Sequence, residues 1–268
     1  MSVFDRGFLY GDSAFEVMRT YRRIPFRQRE HLQRLRTSCE RILLRLPVGD
    51  EQLTRDIART IDASSLDECN VRMMVTRGIG PLGLDLSQAL EPSVLIFATP
   101  LHPPPSAAYE QGVSVGLVHA ARATDGTAAQ GAKTSNYLGA VLALHRVRER
   151  GCHEALIVGP HGEVIEGATS NVFVVRAGGL LTPPIEAGIL AGITRLTVLE
   201  LAARLSIPAL ETQVHPSDLY RAEEVFITST VREIVPVVRV DDVTIGAGQP
   251  GPITRRVRAA YLAETSGQ

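Results

Sequence analysis

Cysteine is scarce in this chain of 268 residues: Cys39, Cys69 and Cys152 are odd in number, far apart and without a C-x-x-C pair. That spacing excludes a disulfide framework and a zinc site, no other metal site is expected, and a reducing cytoplasm suits it. No apolar run approaches the ~20 residues that a membrane-spanning helix needs. The start, Met1-Ser2-Val3-Phe4-Asp5-Arg6-Gly7, puts charges where a signal peptide has an apolar core. A soluble cytoplasmic protein without a membrane partner is expected. An excess of charge is missing too: the formal net charge is -1. The positive field required by a phosphate backbone is therefore absent, and nucleic acid is excluded as a partner.

What is present is ordinary globular material, 44% hydrophobic and 21% charged, enough for a sizeable core. The length favours two domains over one. Leu32, Leu35, Cys39, Ile42, Leu43 and Leu46 recur at helical spacing and predict an amphipathic helix over 29–46. Leu53, Ile57 and Ile61 predict a second over 51–63, followed by strands over 70–77 and 93–99. Pro103-Pro104-Pro105 reads as a stiff extended connection. The expected division is a first domain over 1–105, a linker over 106–112 and a second domain over 113–268. The second half predicts a strand over 112–118, a helix over 135–150 stopped by Gly151 and two strands within 154–176. A helix over 194–205, strands over 224–228 and 235–240 and a closing helix over 253–264 follow. Mixed strands and helices in both halves make the class α/β (α+β).

Three motifs point the wrong way. Gly78-Ile79-Gly80-Pro81-Leu82-Gly83 spells the dinucleotide fingerprint, but Pro81 removes a donor and no long helix follows. Gly112-Val113-Ser114-Val115-Gly116 spells a nucleophile elbow, yet its valines alternate as in a strand. Gly126-Thr127-Ala128-Ala129-Gln130-Gly131-Ala132-Lys133-Thr134 is a P-loop with one residue too many, Ala132, before the lysine. A nucleotide-binding P-loop protein is thereby the remote alternative.

The remaining features fit one another. Lys133 sits just ahead of a predicted helix. Glu166 interrupts an apolar strand in Val164-Ile165-Glu166-Gly167-Ala168-Thr169-Ser170-Asn171. Gly192-Ile193-Thr194 opens a helix, where unpaired N–H groups and the dipole favour an anion. Thr228-Ser229-Thr230 ends a strand with hydroxyl donors, and Arg34 adds a cation. A lysine for an imine, a carboxylate for a pyridine nitrogen and a phosphate seat are what pyridoxal phosphate chemistry asks of a protein.

Read together, Asp5–Asp12, Arg29–Leu35, Lys133–Leu138, Glu166–Phe173, Gly188–Arg195 and Thr228–Val237 resemble the fold-type IV, or class IV, pyridoxal phosphate aminotransferases. That family includes branched-chain and D-amino acid aminotransferases and aminodeoxychorismate lyase. The resemblance implies a smaller N-terminal and a larger C-terminal α/β domain with pyridoxal 5'-phosphate between them, in a homodimer whose partner contributes to the substrate pocket. It implies that Lys133 forms the imine, Glu166 binds the pyridine nitrogen and Tyr137 approaches the phenolic oxygen. Arg34, Ile193, Thr194, Ser229 and Thr230 would hold the phosphate, Ile193 through its backbone. The implied reaction transfers an amino group from an amino acid or small amine to a 2-oxo acid. Aminodeoxychorismate lyase, a pyruvate-releasing enzyme of the folate pathway, is the alternative. Leu82 and Leu84 stand where D-amino acid aminotransferases carry an arginine and a histidine, and Phe15 where they carry tyrosine. With Leu82, Leu84 and Phe15 in the substrate pocket, an apolar substrate side is expected.

Overall fold

The computed structural model describes residues 1–88, 91–119 and 129–267. Contacts divide the described residues into two compact units, 1–88 and 91–102 with 129–137, and 103–119 with 138–267.

The first unit contains α1 (Arg6–Tyr10), β1 (Ser13–Tyr21), β2 (Ile24–Pro25), α2 (Gln28–Arg41), α3 (Asp50–Ser64), β3 (Cys69–Thr76) and β4 (Ser93–Pro100). Among the described residues its sheet runs β2-β1-β3-β4, antiparallel throughout. One face is covered by α2 and α3, and Ala14, Met18, Leu35, Leu53, Ile57 and Val71 fill the core. Leu35, Leu53 and Ile57 are wholly buried, each contributing about 2 kcal/mol.

Helix α2 stops at Arg41 rather than at 46. Leu43 turns into the left-handed region at φ 53°, and the Arg77 guanidinium satisfies the Ile42 and Leu43 carbonyls. Ile42 and Leu46 still pack against the core, from a loop, while Leu43 is exposed.

The second unit contains α4 (Ser106–Glu110), β5 (Val113–His119), α5 (Leu138–Arg148), β6 (Glu154–Val158), β7 (Val164–Gly167), β8 (Asn171–Arg176) and β9 (Gly179–Thr182). It continues with α6 (Ile193–Arg204), β10 (Ala209–Glu211), α7 (Pro216–Tyr220), β11 (Glu224–Ser229), β12 (Glu233–Val240), β13 (Val243–Thr244) and α8 (Pro252–Ser266). The described strands form a mixed sheet ordered β10-β9-β8-β11-β12-β5-β6-β7, with β13 on β12. Val115, Leu156, Val172, Val174, Ile227 and Val235 lie at its centre.

Three expectations change here. The segment 106–112 is not a plain linker: Ser106-Ala107-Ala108-Tyr109-Glu110 forms α4, with Pro105 just outside it, where a fixed φ costs the helix nothing. Residues 133–135 belong with the first unit, because the chain there lies along β1. Phe15 N donates to Lys133 O at 2.9 Å and Ser135 N to Ser13 O at 3.2 Å. That pairing delays α5 to Leu138. The stretch 154–176 makes three strands, since Gly167 N bonds Ser170 O at 2.7 Å and folds the apolar run back on itself.

The misleading motifs resolve in structural terms. Gly78 has φ 93°, and a Cβ there would meet the Glu91 carbonyl, so the glycine serves a turn. Ser114 lies inside β5. Of the P-loop-like segment, Gly126, Thr127 and Ala128 lie outside the described residues. Lys133 does not open a helix, as a P-loop lysine would.

Candidate active site

In the first unit the chemistry gathers around Lys133. Its backbone is fixed on both sides, the N–H donating to Ser38 Oγ at 3.0 Å and the carbonyl accepting from Phe15. Its Nζ reaches Tyr137 Oη at 3.3 Å and stands 4.6 Å from the centre of the Phe15 ring. Phe15 and Tyr137 pack edge to face at 5.3 Å. Phe15, expected in a substrate pocket, is buried at 3% exposure and forms the floor under the lysine. Leu82 and Leu84 are 71% and 79% exposed, on a loop fixed to α1 where Gly83 N donates to Tyr10 Oη at 3.1 Å.

Two features of this unit escaped the sequence reading. Arg34 is buried and paired with Glu16, which also meets His31. Glu16 could have been noticed as a carboxylate inside the apolar run Ala14-Phe15-Glu16-Val17-Met18, and His31 as lying one helical turn before Arg34. Arg72, on β3, stacks its guanidinium 4.0 Å from the Phe15 ring centre. No carboxylate lies within ion-pair distance of it among the described residues. Half-burial lowers its pKa, the mark of a cation short of solvent. An anion would complete it.

In the second unit, Glu166 near the end of β7 accepts from Leu190 N at 3.1 Å and Asn171 Nδ2 at 3.2 Å through Oε2. Both donors converge on one oxygen and so fix the direction in which the carboxylate points. Asn171, to which the sequence pattern assigns no role, organises this site. It pairs with Thr228 across β8 and β11, and its amide bonds Leu190 O at 3.0 Å. Its Oδ1 occupies the space where a Gly192 Cβ would be, 1.9 Å away. A side chain at position 192 would therefore displace the Asn171 amide.

Helix α6 begins after Gly192 with no side-chain cap, so its first N–H groups are donors suited to an anion. Thr194 is buried there, and Thr228 Oγ1, at the end of β11, is buried with no hydrogen-bond partner among the described residues. Ser229 Oγ accepts from Arg232 Nε at 3.0 Å. An uncapped helix start, an orphaned hydroxyl and strand-end hydroxyls together fit a phosphate group.

Both halves of this chemistry fall inside one family match. The sequence fits the family Amino-transferase class IV over residues 13–240. The chain belongs to the class IV aminotransferases. This class IV aminotransferase is 34% identical over 267 residues to the branched-chain-amino-acid aminotransferase of Salmonella typhimurium, covering 97% of this chain and 86% of that protein. It is 33% identical over 271 residues to the D-alanine aminotransferase of Bacillus licheniformis, covering 99% and 93%. The branched-chain aminotransferase structure from Escherichia coli superposes with a TM-score of 0.93 at 32% identity, covering 100% of this chain and 90% of that one. The T.th. branched-chain aminotransferase structure with pyridoxamine 5'-phosphate gives a TM-score of 0.88 at 28% identity, covering 100% and 89%. Family membership removes the P-loop alternative.

Proposed function

We propose that this aminotransferase moves the amino group of an apolar amino acid to a dicarboxylic 2-oxo acid, using pyridoxal 5'-phosphate anchored on Lys133. The observation that carries the reading is the pair of cations over one ring: Lys133 Nζ and Arg72 both stand on Phe15. The first is an amine beside a phenol, the second a cation short of a counter-ion.

When bound, the cofactor supplies an aldehyde that exchanges amines and a ring that takes up the electron pair left when the substrate Cα loses its proton. Lys133 Nζ would be the anchoring amine and the base that moves that proton. Tyr137 Oη, 3.3 Å from Nζ, orients the amine. Glu166, held by Leu190 and Asn171, would be the carboxylate for the ring nitrogen. Ile193 N–H, Thr194, Ser229, Thr230 and Arg34 take the phosphate. Arg72 takes a carboxylate of the acceptor, and Leu82, Leu84 and Phe15 supply the apolar side.

A homodimer is part of this proposal. Leu138, Val141 and Leu142 form an apolar stripe on α5 left 56–67% exposed, and Phe4, Phe8, Ile79, Leu82 and Leu84 are exposed in the first unit. A second copy would cover such surfaces. Cytoplasmic location is supported by three buried, unbridged cysteines, and among the described residues no helix is long and apolar enough to cross a membrane.

The test is a donor screen with D- and L-amino acids, chiral amines and aminodeoxychorismate, each with and without 2-oxoglutarate. Exchange that requires the acceptor supports the transaminase. Pyruvate from aminodeoxychorismate without acceptor, and no exchange in any pair, would establish the lyase instead. Borohydride reduction and peptide mapping should place the pyridoxyl adduct on Lys133, and Lys133→Ala should lose both adduct and turnover.

A further inference from the structure

One charged cluster in the second unit is unused by the chemistry above. Glu154, at the start of β6, is completely buried. Its Oε2 accepts from Thr169 Oγ1 at 2.6 Å and from Ser170 Oγ at 3.3 Å, and pairs with Arg232 Nη2 at 2.8 Å. Oε1 accepts from Ala155 N at 3.0 Å. A carboxylate this deep needs its cation, and Arg232, with a side chain 17% exposed, is held in return.

Arg232 does more than neutralise Glu154. Its Nη2 also reaches Thr169 O at 2.9 Å and Thr169 Oγ1 at 2.7 Å, while its Nε donates to Ser229 Oγ at 3.0 Å. The planar fork therefore ties two turns together. One follows Glu166, the other carries Ser229 and Thr230. An Nε–H only donates, so Ser229 Oγ must accept from it, and the single hydroxyl proton is left to go elsewhere.

We propose that Arg232, anchored on Glu154, is a positioning residue for cofactor phosphate recognition: it fixes the Ser229 hydroxyl as a donor to the phosphate and locks that turn to the one following Glu166. This rests on the reading of Ser229 as a phosphate ligand. The consequence is selectivity for the phosphorylated cofactor over pyridoxal, which lacks the phosphate but keeps the ring.

The experiment titrates full-length apoenzyme with pyridoxal phosphate and with pyridoxal, following absorbance, for wild type, Arg232→Lys, Arg232→Ala, Ser229→Ala and Ser229→Ala combined with Arg232→Lys. Lysine keeps a cation for Glu154 and so preserves the fold, but it cannot reach two turns at once. Arg232→Lys should weaken pyridoxal phosphate roughly tenfold, the weight of one hydrogen bond to a charged group, and leave pyridoxal within about twofold. Arg232→Ala should weaken pyridoxal phosphate at least as much. The double variant should be no worse than the weaker-binding single, because both changes remove the same donor. Equal weakening of both ligands by Arg232→Lys, or full additivity with Ser229→Ala, would overturn the proposal. If Ser229→Ala leaves the preference for pyridoxal phosphate unchanged, the phosphate reading of Ser229 fails and the proposal falls with it. If Ser229→Ala lowers the preference and Arg232→Lys does not, Ser229 stands and only the role of Arg232 is lost.

Discussion

Arg34 and Glu16 are joined by a two-pronged ion pair, Nε to Oε1 at 2.7 Å and Nη2 to Oε2 at 2.8 Å. Glu16 is inaccessible to solvent, and His31 Nδ1 stands 2.7 Å from the same Oε2. The guanidinium charge is already compensated, so Arg34 offers a bound anion a fixed direction more than a net positive field. Glu16→Gln removes the charged partner of a buried guanidinium. A loss of about 3–5 kcal/mol in urea unfolding is expected. A loss under about 1 kcal/mol, typical of exposed pairs, would show that the pair is not stabilising.

The same cluster sets a pH dependence. Burial alone would raise the Glu16 pKa, but Arg34, with help from His31, holds it at about 2 against an ordinary 4.5. Burial lowers the His31 pKa below 6.5 despite Glu16. Both groups are depressed, so the unfolded chain takes up protons first and stability falls on acidification. The His31 contribution is complete above pH 6.5 and declines below it. That of Glu16 is complete above 4.5 and declines as the pH approaches about 2. His153, also lowered by burial, acts with the sign of His31. Unfolding midpoints measured from about pH 8 to about pH 2 should therefore fall in two stages. His31→Gln should reduce the first and keep the second; an unchanged first stage would assign it elsewhere.

Much of the fold was legible because apolar spacing reports burial directly. Leu53, Ile57 and Ile61 predicted α3, and all three are buried. Boundaries set by tertiary bonds were not legible: α2 ends where Arg77, far along the chain, caps it, and α5 starts late because residues 133–135 pair with β1. In the site, Lys133 and Glu166 stood out by chemical type. Glu16, Arg72 and Asn171 did not, because their importance lies in partners, or in the absence of one, that only the folded chain defines. Arg72 reads as one arginine among many until no carboxylate is found beside it among the described residues.

Arg72 gives a prediction about the acceptor. A half-buried guanidinium bonded to a carboxylate is worth about 1.5–3 kcal/mol, so Arg72→Gln should lower kcat/KM for 2-oxoglutarate roughly tenfold to a hundredfold. A monocarboxylic apolar 2-oxo acid should lose much less. Arg72→Lys should not restore the dicarboxylic preference, because an ammonium cannot lie flat on Phe15 while bridging two oxygens. Equal losses for both acceptors would assign Arg72 to the carboxylate they share, or to packing.

Gly192 and Asn171 form a second coupled pair. A Cβ at position 192 would fall 1.9 Å from Asn171 Oδ1, far inside contact distance. The amide would have to turn away, giving up its bonds to Glu166 and to Leu190 O. Gly192→Ala should therefore destabilise the protein by about 1–3 kcal/mol, the usual cost of overpacking, and weaken the cofactor as Glu166 loses a donor. Asn171→Ala loses the same bonds without the clash. In the double variant the new methyl group at position 192 has nothing to strike, so its cost should fall below the sum of the singles by about 1 kcal/mol or more. Urea unfolding of all four proteins checks this, and strict additivity would mean that Asn171 is not what requires a glycine at 192.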